Sequence, residues 1–258
     1  MAKRAAASRR GNAAGTVDPA EISAFERIAE GWWDPNGAFR PLHRLNPARL
    51  AFIRDHLAAH FGRDPRRVRP FAGLTLLDIG CGGGIVAEPL TRLGFAVTGI
   101  DADARAIAVA RRHAEDSGLA IDYRKAAAEN LLKQKHRFDA VLALEVVEHT
   151  SDPALFLATI AGLVKPGGGI VASTINRTAK AFLMAIIGAE YVLRWVPRGT
   201  HDWRKFLRPS ELAAGLRMNG LTIGAIEGLA YDPRRQNWRR SAGLAVNYLL
   251  FASKPAGK

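Results

Sequence analysis

Along this chain, short apolar runs alternate with longer segments whose apolar residues recur at helical spacing. Leu74, Leu76, Leu77 and Ile79 form one such run, too brief for a helix and followed directly by glycines. A strand buried on both faces of a parallel sheet has this pattern. The same reading predicts further strands over residues 96–100, 120–124, 138–144, 170–173, 221–226 and 246–253. Between them it predicts helices over 85–93, 103–117, 152–164 and 209–219, the third capped by Ser151 or Asp152 with Pro153 at its first position. Lys165, Pro166 and three glycines give that helix a sharp stop. Ahead of the first strand, Ile22, Phe25 and Ile28 have helical spacing, and Asn46-Pro47 reads as the cap and first residue of a helix running to about residue 61. The predicted architecture is α/β: a doubly wound, mostly parallel, seven-stranded sheet with right-handed crossovers. Helices precede it, and an apolar helical segment is inserted after the fifth strand. The organisation read from this is a basic disordered tail (1–17), a helical cap (18–73) and the sheet domain (74–258) with its insertion at 176–208.

Composition narrows the class. The 258 residues, 48% of them hydrophobic, suit one decorated domain. The single cysteine, Cys81, excludes an internal disulfide framework and a cysteine-based zinc site, and its place among glycines reads as packing. No uninterrupted apolar run reaches the ~18–20 residues of a membrane-spanning helix. The formal charge of +13 suits nucleic acid or an anionic membrane surface. Part of it lies in residues 1–15, where Lys3, Arg4, Arg9 and Arg10 occur without any acid. Residues 178–196 are largely apolar and flanked by Arg177, Lys180 and Arg198, as in a helix lying at the lipid headgroup boundary. A lid buried against the core is the alternative. Residues 231–240, basic and aromatic, read as a solvated loop or an addition to that membrane contact, and the Trp32-Trp33 pair as a plug in the core or part of a lid, with periodicity favouring the plug.

The candidate chemistry begins at Gly80, Gly82, Gly83 and Gly84, directly after the first predicted strand. Glycines there let a ligand lie against the backbone and permit positive φ. Asp101 ends the next strand, 101 − 80 = 21 residues on, near the ~20 expected of an acid that grips ribose hydroxyls. Asp78, two residues before the first glycine, would repel a pyrophosphate but suits a cationic ligand. S-adenosylmethionine, with a sulfonium, an ammonium and no phosphate, fits better than NAD. After the fourth strand come Glu145, Val146, Val147, Glu148 and His149, at the edge where such folds bind ligands.

Together, LLDIGCGGG, VTGIDAD, FDAVLALEVVEH and LVKPGGG resemble the class I S-adenosylmethionine-dependent methyltransferases. The flanks FERIAEGWWDPNGAFRPLHRLNPARL, STINRTAKAFLMAIIGAEYVLRWVPRGTHDWRKFLRPSEL and VNYLLF are similar to the O-methyltransferases of ubiquinone biosynthesis. That resemblance implies cofactor contacts at Arg49, Gly80, Asp101 and Leu144, to which the loop reading adds Asp78 and Gly82. It also implies a polyprenyl catechol or quinol substrate, contact with an anionic membrane through 178–196, association with other enzymes of the pathway, and a place on the cytoplasmic side of the inner membrane. A catechol hydroxyl, with a pKa near ~10, needs help to ionise at neutral pH. His149 or Glu148 can serve as general base, or Glu145, Glu148 and His149 can hold Mg²⁺, as the E-x-x-E-H pattern of mitochondrial relatives implies. His201 and Asp202 are further candidates for orienting substrate. Two rivals are weighed. An RNA methyltransferase acting on exocyclic amines would place N/D-P-P-Y/F after the fourth strand, and a C5 enzyme a cysteine; EVVEH occupies that place, so nucleic acid is not expected as a partner. A regulator that only binds the cofactor has no use for the Glu-Glu-His cluster.

Overall fold

The computed structural model describes residues 16–17, 29–183, 203–232 and 237–257. Eight strands form one sheet in the order β3-β2-β1-β4-β5-β8-β6-β7. They are β1 (Thr75–Ile79), β2 (Ala96–Asp101), β3 (Asp122–Lys125), β4 (Phe138–Leu144), β5 (Val164–Ile175), β6 (Thr222–Asp232), β7 (Asn237–Ser241) and β8 (Asn247–Ser253). The first five pair in parallel, and β8, β6 and β7 continue the sheet antiparallel. All seven predicted strands are present.

The eighth strand, β7, comes from the stretch read as a solvated loop. Its Arg240 donates through Nε and Nη2 to Glu227 of β6 at 2.6 and 2.7 Å, and through Nη1 to Asp55 at 2.7 Å. These bonds tie a polar strand to the rest of the protein where apolar patterning gives no signal. Strand β5 also starts earlier than expected. Lys165–Gly169 is no clean stop, because Val164 already pairs with Phe138 and the ladder resumes past a bulge with Ala140 opposite Gly169.

Among the described residues six helices of six residues or more cover the sheet: α1 (Arg40–His60), α2 (Ala87–Arg92), α3 (Ala104–Asp116), α4 (Ala128–Lys133), α5 (Pro153–Leu163) and α6 (Pro209–Met218). Asp103 caps α3 by accepting from Arg105 N, and Asp152 caps α5 by accepting from Leu155 N. Asn46-Pro47 does not begin a helix. Helix α1 starts seven residues earlier, at Arg40, with Pro41 in its first turn and Pro47 inside it. A proline there forfeits one helical hydrogen bond, offset by burial of Leu45, Ala48, Phe52, Ile53 and Leu57. Helix α4 is an addition to the sequence reading.

One core lies on the α1 side of the sheet, around Phe52, Leu76, Leu142, Val171 and Leu249; the other, around Leu77, Val141, Phe156, Leu212 and Leu250, lies beneath α5 and α6. Residues 1–15 of the basic tail, most of the predicted helix at 19–30, and the apolar insertion beyond Leu183 with His201 and Asp202 lie outside the described residues, whereas Val17 at the end of the tail bridges to Thr150 and Thr16 N donates to Glu129 Oε1 at 2.9 Å. Among the described residues no helix is long and apolar enough to cross a membrane.

Candidate active site

Strand order reverses between β1 and β4, β1 leading outward to β2 and β4 to β5. A crevice opens there beyond the carboxyl ends of the strands, the place where doubly wound sheets bind ligands. The glycine loop sits in it. Gly80, Gly82 and Gly84 have φ of 68°, 52° and 89°, a left-handed region closed to most side chains. Space forbids side chains too: a Cβ on Gly80 would meet Val146 Cγ2 at 2.7 Å, one on Gly82 would strike the Trp32 indole, and one on Gly84 the Tyr123 hydroxyl.

Asp101, at the end of β2, braces this loop. Its Oδ2 accepts from Gly82 N and its Oδ1 from Asp103 N, both at 2.9 Å. Burial raises its pKa, and those two backbone hydrogen bonds oppose the rise. Asp78 is 3% exposed, on the α1 side of β1. Burial first, then the neighbouring Asp101 charge, push it up to about 7 against the pull of Arg49. Its Oδ2 is buried and finds no hydrogen-bond partner among the described residues, and the same holds for Arg49 Nε. Arg49 itself, buried on α1, donates through Nη2 to the Glu145 carboxylate.

Leu144 closes β4 opposite Ser173 of β5 and packs against the α1-side core. Glu145 then turns left-handed at φ 54° while its N–H donates to Ser173 O at 2.9 Å. That rare conformation in a non-glycine residue is the kind of backbone strain that collects at functional sites, and here it swings Glu145 toward Arg49. The 3₁₀ turn Val147–His149 follows. Glu148 is buried, and burial is the main cause that lifts its pKa to about 7; Glu145 adds to the rise, while His149 and Thr174 oppose it. The Glu148 charge also helps burial to raise Tyr248, whose side chain belongs to the α5–α6 core.

Among the described residues no three His, Cys, Asp or Glu side chains are arranged to hold a metal ion. Glu145 is paired with Arg49, while the buried Glu148 lies near Thr174 and Tyr248. Of the six residues expected around the cofactor, Asp101 accepts from Gly82 N, Asp78 feels the charges of Asp101 and Arg49, Gly80 lies beside Val146, and Leu144 precedes Glu145, the partner of Arg49. Their charges fit S-adenosylmethionine: a buried carboxylate for the ammonium, a second for ribose hydroxyls and a guanidinium for the carboxylate.

Other contributors escaped the sequence reading. Trp32 is buried as a plug, but the plug sits on Gly82 and Gly83. Asn46, taken as a helix cap, donates to Ile85 O at 2.7 Å, pinning the end of the glycine loop to α1. Tyr123 fills the space beside Gly84 and Gly99. A glycine-rich loop implies bulky neighbours, yet nothing in the linear pattern says which ones.

Comparison with known proteins agrees with this fold. A methyltransferase-domain family matches residues 77–172. The ubiquinone biosynthesis O-methyltransferase of Paramagnetospirillum magneticum is 55% identical over 93% of this chain and 96% of its own length. Those of Chelativorans sp. and Brucella anthropi are each 53% identical, over 94% and 93% of this chain and 96% and 97% of their own. Among solved structures, a magnesium protoporphyrin IX methyltransferase from Synechocystis with bound S-adenosylhomocysteine shares the fold at a TM-score of 0.61 and 17% identity, covering 92% of this chain and 95% of that one. An S-adenosylmethionine-dependent methyltransferase from Clostridium acetobutylicum does so at 0.61 and 12%, covering 90% and 98%. The chain belongs to the ubiquinone biosynthesis O-methyltransferase family and is an S-adenosylmethionine-dependent enzyme.

Proposed function

We propose that this enzyme methylates a catechol-type hydroxyl on polyprenyl-substituted benzene intermediates, 3-demethylubiquinol among them. One observation carries the reading: the Glu145–His149 loop lies against the cofactor loop, Val146 beside Gly80, so acid–base groups and methyl donor share one crevice. The names of the relatives, all ubiquinone biosynthesis O-methyltransferases, support the substrate class.

The cofactor supplies the activated methyl group, and the protein aligns the acceptor and takes its proton. Asp78 holds the cofactor ammonium, Asp101 the ribose and Arg49 the carboxylate. Gly80 and Gly82 let the methionine portion approach the backbone, and Leu144 forms an apolar wall. His149, only half-buried, is the general base, and the buried Glu148 stabilises the imidazolium that forms.

A polyprenyl tail confines the substrate to a bilayer, so the enzyme works as a peripheral membrane protein docked through 178–196. In the described part of that segment, Phe182 and Leu183 are 40% and 57% exposed, more than ordinary burial leaves such side chains. Anionic liposomes should pull down the full chain and lose it when Phe182 and Leu183 become serine; retention of the variant places the docking surface elsewhere. Methyl transfer from labelled S-adenosylmethionine to a short-chain demethylubiquinol, with EDTA and with added Mg²⁺, tests the chemistry. Equal rates in both support His149 as base. Dependence on Mg²⁺ returns Glu145, Glu148 and His149 to a metal, and no transfer at all removes the quinol.

A further inference from the structure

Asp101 braces one side of the glycine loop, and a second set of groups reaches its other side. Trp33 Nε1 donates to Gly83 O at 2.9 Å, one residue from the Gly82 N–H that Asp101 accepts. The Trp33 indole lies flat on the His113 imidazole, ring centroids 3.5 Å apart and planes 2° from parallel. His113, near the end of α3, bonds through Nδ1 to Glu88 Oε1 at 2.6 Å, and Glu88, on α2, is 3% exposed. Trp32 is fixed as well: its ring stacks on Phe39 at 3.8 Å, and its carbonyl meets His43 Nε2 at 2.8 Å. Two adjacent tryptophans from before α1 are thereby anchored on three helices and close over a loop that belongs to the sheet.

We infer that Trp33, held in place by His113 and Glu88, is a positioning residue that latches the glycine loop in its cofactor-binding shape. The physical reason is the loop's own freedom. A loop with four glycines in the five residues from Gly80 to Gly84 has few side chains of its own to define it, and glycine loses more conformational entropy on ordering than any other residue. Left to itself it would be ordered by the cofactor, which weakens binding. With Gly82 N–H on Asp101 and Gly83 C=O on Trp33, the peptide groups that flank the Gly82–Gly83 peptide are fixed on both sides before the cofactor arrives. The carboxylate–imidazole–indole stack fixes the donor in turn, because a ring sandwiched face to face cannot swing its N–H away. The latch acts on cofactor affinity and leaves the acceptor chemistry alone.

The inference rests on the cofactor lying against this loop, and the test separates the two ideas. Trp33→Phe keeps an aromatic ring over His113 but removes the N–H. His113→Ala keeps the N–H but frees the indole. Isothermal titration with S-adenosylhomocysteine should show each variant of the full-length enzyme binding about three- to tenfold more weakly, the worth of one hydrogen bond. The double variant should be no weaker than the worse single, since both break the same chain. KM for S-adenosylmethionine should rise in step while kcat at saturating cofactor stays within about twofold, a split that general loss of structure does not produce. Asp101→Asn is the control. If it weakens binding and Trp33→Phe does not, or if the two latch variants add, the latch is wrong. If Asp101→Asn leaves affinity intact, the cofactor placement fails and the latch with it. Should Trp33→Phe fold poorly, His113→Gln, which keeps a flat polar group under the indole, gives the same reading on its own.

Discussion

Replacing Glu148 with glutamine puts a magnitude on the buried acid beside the proposed base. Glutamine keeps the shape and removes the charge. Burial lifts the native carboxyl from its ordinary 4.5 to about 7, whereas the unfolded chain returns it to 4.5. The native state therefore holds a proton that the unfolded state has already lost, throughout the window between those values. Stability from this group is complete below pH 4.5 and is lost as pH rises through 7, at up to about 1.4 kcal/mol per pH unit. Summed over the window this is about 3 kcal/mol. The variant has no such titration, so its stability relative to wild type should rise by that amount between pH 4.5 and 8. Asp78, pushed the same way, contributes alike to both proteins and cancels in the difference. Urea unfolding at half-unit steps of pH measures it. A difference that stays flat to within about 0.5 kcal/mol would refute the burial argument. The same variant should lose roughly ten- to a hundredfold in kcat if Glu148 supports the imidazolium of His149.

The cofactor site offers sharper contrasts. Wild-type affinity for S-adenosylhomocysteine should grow as pH rises toward 7, because its ammonium needs Asp78 ionised; Asp78→Asn should bind about tenfold more weakly and show no such pH dependence by calorimetry. Arg49→Met strips Glu145 of its partner and should cost about 1–3 kcal/mol of stability by urea titration, besides weakening the cofactor. An unchanged midpoint would mean that the Arg49–Glu145 pair contributes nothing net. Gly84→Ala forces a side chain into left-handed backbone against the Tyr123 hydroxyl and should lower stability by about 3 kcal/mol, or roughly 6–12 °C in Tm. Tyr123→Phe in that background should recover part of the loss by relieving the contact.

Much of this protein was legible in one dimension. The parallel strands, α3, α5 with its aspartate cap, the glycine loop and the acid ending β2 each rest on interactions that reach only a few residues along the chain, so their signals are local. A buried strand must be apolar, a left-handed turn must be glycine, and a helix start needs an acceptor for its free N–H groups. What the sequence could not decide were relations between distant segments. The Asn46-Pro47 pair has the local chemistry of a helix start, yet burial of Leu45, Ala48 and Phe52 carries the helix through the proline from Arg40. Strand β7 exists because Arg240 finds Glu227 and Asp55, a pairing across 13 and 185 residues that no periodicity encodes. Spacing groups Glu145, Glu148 and His149 as one cluster, whereas the structure pairs Glu145 with Arg49 through a left-handed turn and buries Glu148 near Thr174 and Tyr248. The tryptophans before α1 read simply as apolar, and their place on the glycine loop is set by packing alone. Sequence determines what each segment is able to form; tertiary structure decides which groups meet, because burial and charge pairing act between side chains that the chain order keeps apart.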